Sequence, residues 1–198
     1  MTRDMTEGRP LKLILGFAVP LLFGNLFQQF YNLVDTIIVG KFLGVKSLAA
    51  VGSTGSINFL IIGFCMGICN GFAIPIAQSF GAKNEKTLRK YVANSTWLAL
   101  FFAVVMTIAT VLLCRPILRL MRTPEDIIGG AYTYIVIIFA GIPATILYNM
   151  VSGILRAMGD SKTPLYFLIL SAFLNILLDL LCIVVLHMGV SGDRKSVV

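Results

Sequence analysis

Charged side chains are scarce in this 198-residue chain: Asp, Glu, Lys and Arg make up 13% of it, about half the share of an ordinary soluble domain. Histidine and tryptophan occur once each, and cysteine occurs four times. So little charge cannot cover the surface of a water-soluble fold in which 58% of the residues are hydrophobic. The shortage therefore excludes a soluble domain and indicates a protein whose solvent is largely lipid.

Patterns of catalytic and metal-binding residues are also missing from the sequence. The single histidine, His187, belongs to no zinc-ligand spacing, and Cys65 and Cys69 have helical spacing without a second pair of ligands. The sequence contains no phosphate-binding loop and no nucleophile elbow. We therefore expect neither an enzyme nor a cofactor, and we interpret Cys65 and Cys69 as small packing residues.

Basic residues outnumber acidic ones by 16 to 9, but their positions argue against nucleic acid as a partner. Every Lys and Arg lies between or beside long apolar runs, as loops at the surface of a lipid bilayer require. The first apolar run follows Arg3, Arg9 and Lys12 and is longer than the core of a signal peptide. We therefore predict a first helix that is retained in the membrane.

Five apolar runs are long enough to cross roughly 30 Å of hydrocarbon at about 1.5 Å per residue. We predict spans one to five at residues 13–40, 48–76, 91–113, 131–153 and 165–188. Residues 1–12 then form a first tail, 13–188 the helical bundle, and 189–198 a second tail. Basic residues are more frequent in the first tail and in the loops after spans two and four than in the alternate loops. We therefore expect a multi-pass protein with a cytoplasmic amino terminus.

Asp35 and Asp179 are the only charged residues within the predicted spans. A charged Asp in the middle of a membrane helix costs on the order of 3 kcal/mol, and no basic residue in the spans offsets this cost. Either these carboxylates are protonated for part of the time, or a cation from outside the chain joins them. Oxygen ligands from Asp, Asn and the backbone suit Na⁺, whereas a carboxylate with a raised pKa suits H⁺.

Amide and hydroxyl side chains accompany the two acids on the same helical faces. The two polar stripes are Asn25, Gln28, Asn32 and Asp35 in span one, and Ser171, Asn175 and Asp179 in span five. Spacings of three and four residues place each set on one side of its helix. A polar stripe in lipid has to face a cavity or another helix, so we predict a cation-coupling site at Asp35, Asn175 and Asp179. The alternative is that these groups only form hydrogen bonds between helices.

Two further features concern the shape and packing of the helices. Pro20 lies inside span one, where it removes a backbone hydrogen bond and bends the helix; it is either a hinge coupled to Asp35 or a passive kink. Gly63, Gly67 and Gly71 share one face of span two. We expect this glycine face to pack closely against another helix.

These acidic and polar residues occur in a chain that resembles the multidrug and toxic compound extrusion (MATE) transporters over about residues 10–192. The resemblance rests on four segments that are specific in combination: Asn32-Leu-Val-Asp35-Thr-Ile-Ile-Val-Gly40, Pro75-Ile-Ala-Gln78-Ser-Phe-Gly81-Ala-Lys83, Gly153-Ile-Leu-Arg156-Ala-Met-Gly159-Asp160 and Asn175-Ile-Leu-Leu-Asp179. The fold class that it implies is an all-α polytopic bundle, of which this chain holds the first five helices of twelve, arranged as two lobes of six.

The resemblance also implies a function. It implies an antiporter of the bacterial plasma (inner) membrane that exports small organic, often cationic substrates against the entry of Na⁺ or H⁺. In that family the cation site of the first lobe uses an acid of helix one with an Asn and an Asp of helix five, which match Asp35, Asn175 and Asp179. Asn149 in span four is a further candidate for the cavity lining.

The chain departs from the family in length, since it has five predicted spans and a complete family member has about twelve. Helix six and the C-terminal lobe would be missing, and half a transporter has no second wall for alternating access. We expect residues 189–198 to be a truncated tail and 193–198 to be an artefact, because their codons would match a short-read sequencing adapter followed by a stop. Two alternatives remain open, a flippase for lipid-linked sugars and a non-transporting membrane subunit.

Overall fold

The computed structural model describes residues 9–180, apart from the side chains of Asp35, Ile38, Val39, residues 42–47, Asp126 and residues 178–180. Within this range the chain forms α-helices joined by short turns, and no strand. The helices are α1 (Pro10–Gly81), α2 (Glu85–Leu120), α3 (Glu125–Ala140), α4 (Ile142–Ala157) and α5 (Lys162–Leu180). His187 and the predicted second tail at 189–198 lie outside the described residues.

Helix α1 is continuous over 72 residues, whereas the sequence predicted two spans with a break between them. A straight helix would separate Tyr31 from Asn58 by about 40 Å, yet both residues line the same cavity. A Cβ atom built on Gly40 would lie 3.6 Å from Leu48 Cδ2, far closer than eight residues of straight helix allow. The predicted break is therefore a sharp reversal within helical backbone between Gly40 and Leu48.

The reversal separates a first limb, which includes Pro10–Val34, from a second limb, Leu48–Gly81. Both limbs and α2 are long and apolar enough to cross a membrane, with 25, 34 and 36 residues respectively. The predicted fourth span consists of two helices, α3 and α4, which meet at a bend of 43°. Pro143 lies at the start of α4 and has no amide hydrogen to continue the hydrogen bonding of α3, which explains the break.

The outer surface of the bundle is covered by large apolar side chains. Phe59 and Leu60 are 83% and 71% exposed, and Leu112 of α2 is 72% exposed. Side chains of this kind over most of a surface would make a protein aggregate in water, but they match the hydrocarbon of a bilayer. The surface therefore agrees with the membrane location that the composition indicates.

The core of the bundle lies around the break between α3 and α4. Phe139, Ile135 and Ile142 are completely buried there, and α4 packs against α1, α2 and α5. The Cys69 thiol lies 3.8 Å from the Ile146 carbonyl oxygen, to which it donates a weak hydrogen bond between α1 and α4. Cys65 and Cys69 are thus buried packing residues, as the sequence predicted, and Cys114 is also buried.

The glycine face of the second limb does not pack against a helix in the described part of the chain. A Cβ atom built on Gly63, Gly67 or Gly71 would meet no atom within 4 Å. The close helix contact is instead at Gly153 of α4, where a built Cβ atom would lie 3.5 Å from the Cβ atom of Ala73. A spacing of four shows that glycines share a face, but not which neighbour that face meets, so the expected close contact stays a prediction for parts of the protein outside the described residues.

Candidate functional site

A cavity of about 440 Å³ lies where both limbs of α1 meet α3, α4 and α5. This volume is within the range of small-molecule binding sites in proteins. Its polar wall consists of uncharged amide and hydroxyl side chains, which are Gln28, Tyr31, Asn32, Asn58, Thr145, Tyr148, Asn149, Ser171 and Asn175. The rest of the lining is apolar, so the cavity suits a small ligand that has both polar and apolar parts.

Most of the residues in the predicted polar stripes line this cavity. It brings together Gln28 and Asn32 of the first limb, Asn149 of α4, and Ser171 and Asn175 of α5. Asn25, although it belongs to the same stripe, has an exposed side chain and is not part of the lining. The stripe begins to face the cavity only one turn later, at Gln28.

A hydrogen bond joins the two predicted stripes across the cavity wall. The Tyr31 hydroxyl donates to Asn175 Oδ1. Further towards the start of both helices, a Cβ atom built on Gly24 would lie 3.6 Å from Leu165 Cδ1 and 3.7 Å from Leu168 Cδ2. Residue numbers rise along both helices between these two contacts, so the first limb and α5 run in the same direction.

Asp35 and Asp179 lie one helical turn beyond this hydrogen-bonded pair, at positions four residues after Tyr31 and Asn175. Because the two helices run in the same direction, backbone positions 35 and 179 are at a similar height in the bundle. Their side chains lie outside the described part of the structure. Among the residues that are described, no three of His, Cys, Asp and Glu come together to hold a metal ion.

Several lining groups have hydrogen-bond partners within their own neighbourhood. Asn149 Nδ2 donates to the Thr145 carbonyl oxygen at 2.8 Å, and Thr145 Oγ1 donates to the Gly141 carbonyl oxygen at 3.3 Å, beside the helix break. The Tyr148 hydroxyl donates to the Pro164 carbonyl oxygen at 3.4 Å and so links α4 to the start of α5. These bonds hold the polar groups of α4 in place around the cavity.

Sequence reasoning missed four polar residues of the lining, Tyr31, Asn58, Thr145 and Tyr148. Tyr31 had a usable signal, since it lies three residues after Gln28 and therefore on the same stripe. Asn58 had none, because it is an isolated amide in an apolar span and nothing in the sequence connects it to residues near Asn32. Only the reversal of α1 brings the two together.

Asp160 lies in the turn between α4 and α5, outside the spans, and caps the start of α5. Its carboxylate accepts hydrogen bonds from the backbone N–H groups of Lys162 and Thr163, at 3.1 and 3.0 Å, and from the Thr163 hydroxyl at 2.8 Å. Burial by itself raises the pKa of Asp160, but hydrogen bonds to the charged form outweigh burial and lower the pKa from 3.8 to about 2. Asp160 is therefore a structural carboxylate that remains ionised at neutral pH.

Apolar helices around a ligand-sized cavity that carries polar side chains define a polytopic helical membrane protein with a cavity in its bundle. The family model for MatE matches residues 20–181, and the chain therefore belongs to the MatE family. The predicted resemblance to MATE transporters and the predicted fold class are confirmed.

Two relatives from Bacillus subtilis (strain 168) illustrate the match. The chain is 40% identical over 179 residues to the probable multidrug resistance protein YoeA, covering 90% of this chain and 38% of that protein. It is 34% identical over 195 residues to the probable multidrug resistance protein YpnP, covering 98% of this chain and 44% of that protein. The chain thus spans about two fifths of the length of these relatives.

Solved structures show the same fold. A transporter of the MOP superfamily from Pyrococcus furiosus superposes with a TM-score of 0.91 at 30% identity, over 98% of this chain and 43% of that one. A multidrug resistance MATE family transporter in an outward-facing conformation also superposes with a TM-score of 0.91 at 30% identity, over 100% of this chain and 44% of that one. The helices described above therefore correspond to less than half of a complete transporter of this fold.

Proposed function

We propose that this chain is part of a transporter that exports small organic, often cationic compounds across the bacterial plasma membrane by antiport with Na⁺ or H⁺. The observation that carries the proposal is the cavity of about 440 Å³, with amide and hydroxyl groups on a mainly apolar lining, in a bundle with an apolar outer surface. Its size suits one small organic molecule. The names of the Bacillus subtilis relatives, both described as probable multidrug resistance proteins, support the proposed class of cargo.

Cation coupling is proposed at Asp35, Asn175 and Asp179. The hydrogen bond between Tyr31 and Asn175 holds the first limb close to α5, and the two acidic positions lie one turn beyond it on helices that run in the same direction. Two carboxylates at a similar height in a medium of low dielectric constant resist simultaneous ionisation. Binding of H⁺ or Na⁺ would relieve this repulsion, and loss of the cation would restore it.

This change in charge is proposed to alter the packing of α1 against α5, and with it the shape of the cavity. Pro20 lies in the first limb, fifteen residues before Asp35, and is proposed as the position at which that limb bends. The amino terminus is proposed to be cytoplasmic on the distribution of basic residues. Alternating access needs a second wall, which we propose is supplied by a lobe equivalent to the remaining length of the relatives.

The proposal is tested by expressing the protein from its genomic reading frame in a bacterial host that lacks its major efflux pumps. Growth inhibition by a panel of lipophilic cations and cellular retention of a fluorescent one are compared with an empty-vector strain. We expect resistance to rise at least fourfold and retention to fall. Failure to export any of these compounds at normal expression would contradict the proposal. Movement of lipid-linked sugars would then favour the flippase, and the absence of any transport would favour the membrane subunit.

A further inference from the structure

Arginine is concentrated where α2 ends. Arg115, Arg119 and Arg122 lie within residues 115–122, and all three are exposed. Helix α2 continues to Leu120, beyond the predicted end of the third span at residue 113. Arg115 and Arg119 therefore lie on helical backbone, about one turn apart and on the same face, where a single anion can contact both side chains.

The same face of α2 is apolar on the side of the membrane interior. Ile108 and Leu112 precede Arg115 at helical spacings and are exposed. Cys114 and Leu118, on a different face, are buried in the core. The exposed face thus changes from apolar to basic as the helix leaves the hydrocarbon. A phospholipid has the same order of acyl chain and phosphate.

The ion pair that the structure describes in α2 is at the opposite end of the helix, between Arg89 and Glu85. In the described part of the chain, no acidic side chain pairs with the arginines of residues 115–122 in this way. Arg115 lies over the ring of Tyr132 in α3, with its guanidinium carbon 4.7 Å from the ring centre. A cation–π contact of this kind occupies one face of the guanidinium group and leaves the N–H groups at its edge for an anion.

The helix dipole accounts for only part of this charge. Arg119 lies in the last turn of α2, where the negative end of the dipole favours a cation. Arg115 lies before that turn, and the effect of the dipole falls off within the last turn. A further anionic partner is therefore needed for the pair.

The arginines lie at the same end of the bundle as the reversal of α1. A Cβ atom built on Gly130, near the start of α3, would lie 3.5 Å from the Cβ atom of Ala50, near the start of the second limb. In the proposed topology this end faces outwards, where the loops of membrane proteins carry few basic residues. The orientation of the protein therefore does not explain why three arginines occur here.

We infer that Arg115 and Arg119 bind the phosphate of an anionic phospholipid, while Ile108 and Leu112 contact its acyl chains. Guanidinium groups bind phosphate through paired hydrogen bonds and remain charged at neutral pH. A lipid with a net negative charge, such as phosphatidylglycerol, suits the pair, whereas the choline group of phosphatidylcholine places a second cation beside the arginines. The inference does not depend on the export function, because lipid binding is measured directly.

Native mass spectrometry of the complete transporter in detergent tests the inference. The protein is titrated with phosphatidylglycerol or phosphatidylcholine of the same acyl chains. We expect the wild-type protein to bind the first phosphatidylglycerol molecule about tenfold more tightly than phosphatidylcholine. The double variant Arg115→Gln, Arg119→Gln should lose one tightly bound phosphatidylglycerol and bind phosphatidylcholine as before. Inorganic phosphate should not displace the lipid, because it cannot replace the contacts of the acyl chains.

The matched control is the double variant Lys86→Gln, Arg89→Gln, which removes the same charge from exposed positions at the opposite end of α2. It should retain the number of tightly bound lipids, because Arg89 already pairs with Glu85. Melting temperatures without added lipid show whether the variants fold. If the arginine double variant does not accumulate, Arg119→Gln takes its place, since it leaves the contact between Arg115 and Tyr132 intact, and its affinity for phosphatidylglycerol should fall about threefold.

Three results would overturn the inference. Equal binding of the two lipids to the wild-type protein would exclude a site for anionic lipid. Full retention of phosphatidylglycerol by the arginine variant, or an equal loss in the control, would show that these arginines form no specific site. Displacement of the lipid by inorganic phosphate would identify a site for free anions instead.

Discussion

The Tyr31 hydroxyl donates a hydrogen bond to the amide oxygen of Asn175, which joins α1 to α5 across 144 positions of the chain. Asn175 is only 8% exposed, so the bond lies in a largely buried environment. Each partner lies four residues before one of the two acidic residues of the spans. A movement that separates Tyr31 from Asn175 would therefore also change the spacing of the positions proposed to bind the coupling cation.

Tyr31→Phe removes the hydroxyl and keeps the ring. A typical hydrogen bond contributes about 0.5–1.5 kcal/mol to stability, so we expect the free energy of unfolding to fall by about 1 kcal/mol. Denaturant unfolding of the purified protein in detergent measures the change. Tyr148→Phe is the control, since the Tyr148 bond is long at 3.4 Å and should contribute less. Equal losses in the two variants would contradict the assigned importance of the Tyr31 bond.

Asp35→Asn and Asp179→Asn should each abolish drug resistance in a pump-deficient host without lowering the amount of protein in the membrane. Each substitution keeps the size of the side chain but removes the charge that binds H⁺ or Na⁺. Glu85→Gln is the control, because the Glu85 side chain is 84% exposed and pairs with exposed Arg89 at 3.8 Å. Normal export by either Asp variant at normal expression would exclude that residue from coupling.

The hydrogen bonds at Asp160 predict a dependence of stability on pH. Because the pKa of Asp160 is lower in the folded protein, about 2 against 3.8, the ionised carboxylate stabilises the fold at pH values above about 4. This contribution is lost as the pH falls towards 2.

Asp160→Asn removes the ionisation and retains an oxygen that can cap α5. We expect the wild-type protein to have a higher melting temperature than Asp160→Asn at pH 6, and the difference to shrink at pH 2.5. Thermal unfolding of both proteins across this pH range provides the measurement. A difference that does not change with pH would show that the Asp160 charge does not contribute to stability.

Substitution by leucine should reduce stability at Gly153 and leave it nearly unchanged at Gly67. A Cβ atom at Gly153 would already contact Ala73 Cβ at 3.5 Å and the Cys69 carbonyl oxygen at 3.8 Å, so Gly153→Leu should force α4 away from α1 and destabilise the protein by about 1–3 kcal/mol. Gly67→Leu points into open space in the described structure and should change stability by less than about 0.5 kcal/mol. Unfolding measurements on both variants test the pair, and a larger loss for Gly67→Leu would show that another helix covers that face.

Part of the site could be predicted from the sequence because polar residues are rare in the spans. Gln28, Asn32 and Asn175 stand out against an apolar background, and the cavity brings them together. Asn25 follows the same spacing but lies outside the lining, because helical spacing gives a direction and not the point at which a cavity begins. Asn58 reaches the cavity only through the reversal of α1 between residues 40 and 48.

The break in the fourth span was equally beyond a prediction from composition. Residues 131–153 form one apolar run, and nothing in its hydropathy separates α3 from α4. Pro143 signalled a disturbance of the helix, but the bend of 43° depends on how the two pieces pack around buried Phe139 and Ile142.

The amino-acid sequence by itself determined that the chain is an all-α membrane protein, since lipid leaves the backbone no partner but itself and the lengths of the apolar runs set the spans. The tertiary structure alone decided which faces meet, where α1 reverses, and that Asn58 lines the same cavity as Asn32 and Asn175. The physical reason is that the interior of a helix bundle and the surrounding lipid are both apolar. Hydrophobic periodicity, which orients a helix in water, therefore cannot orient one here, and close packing and a few hydrogen bonds decide instead.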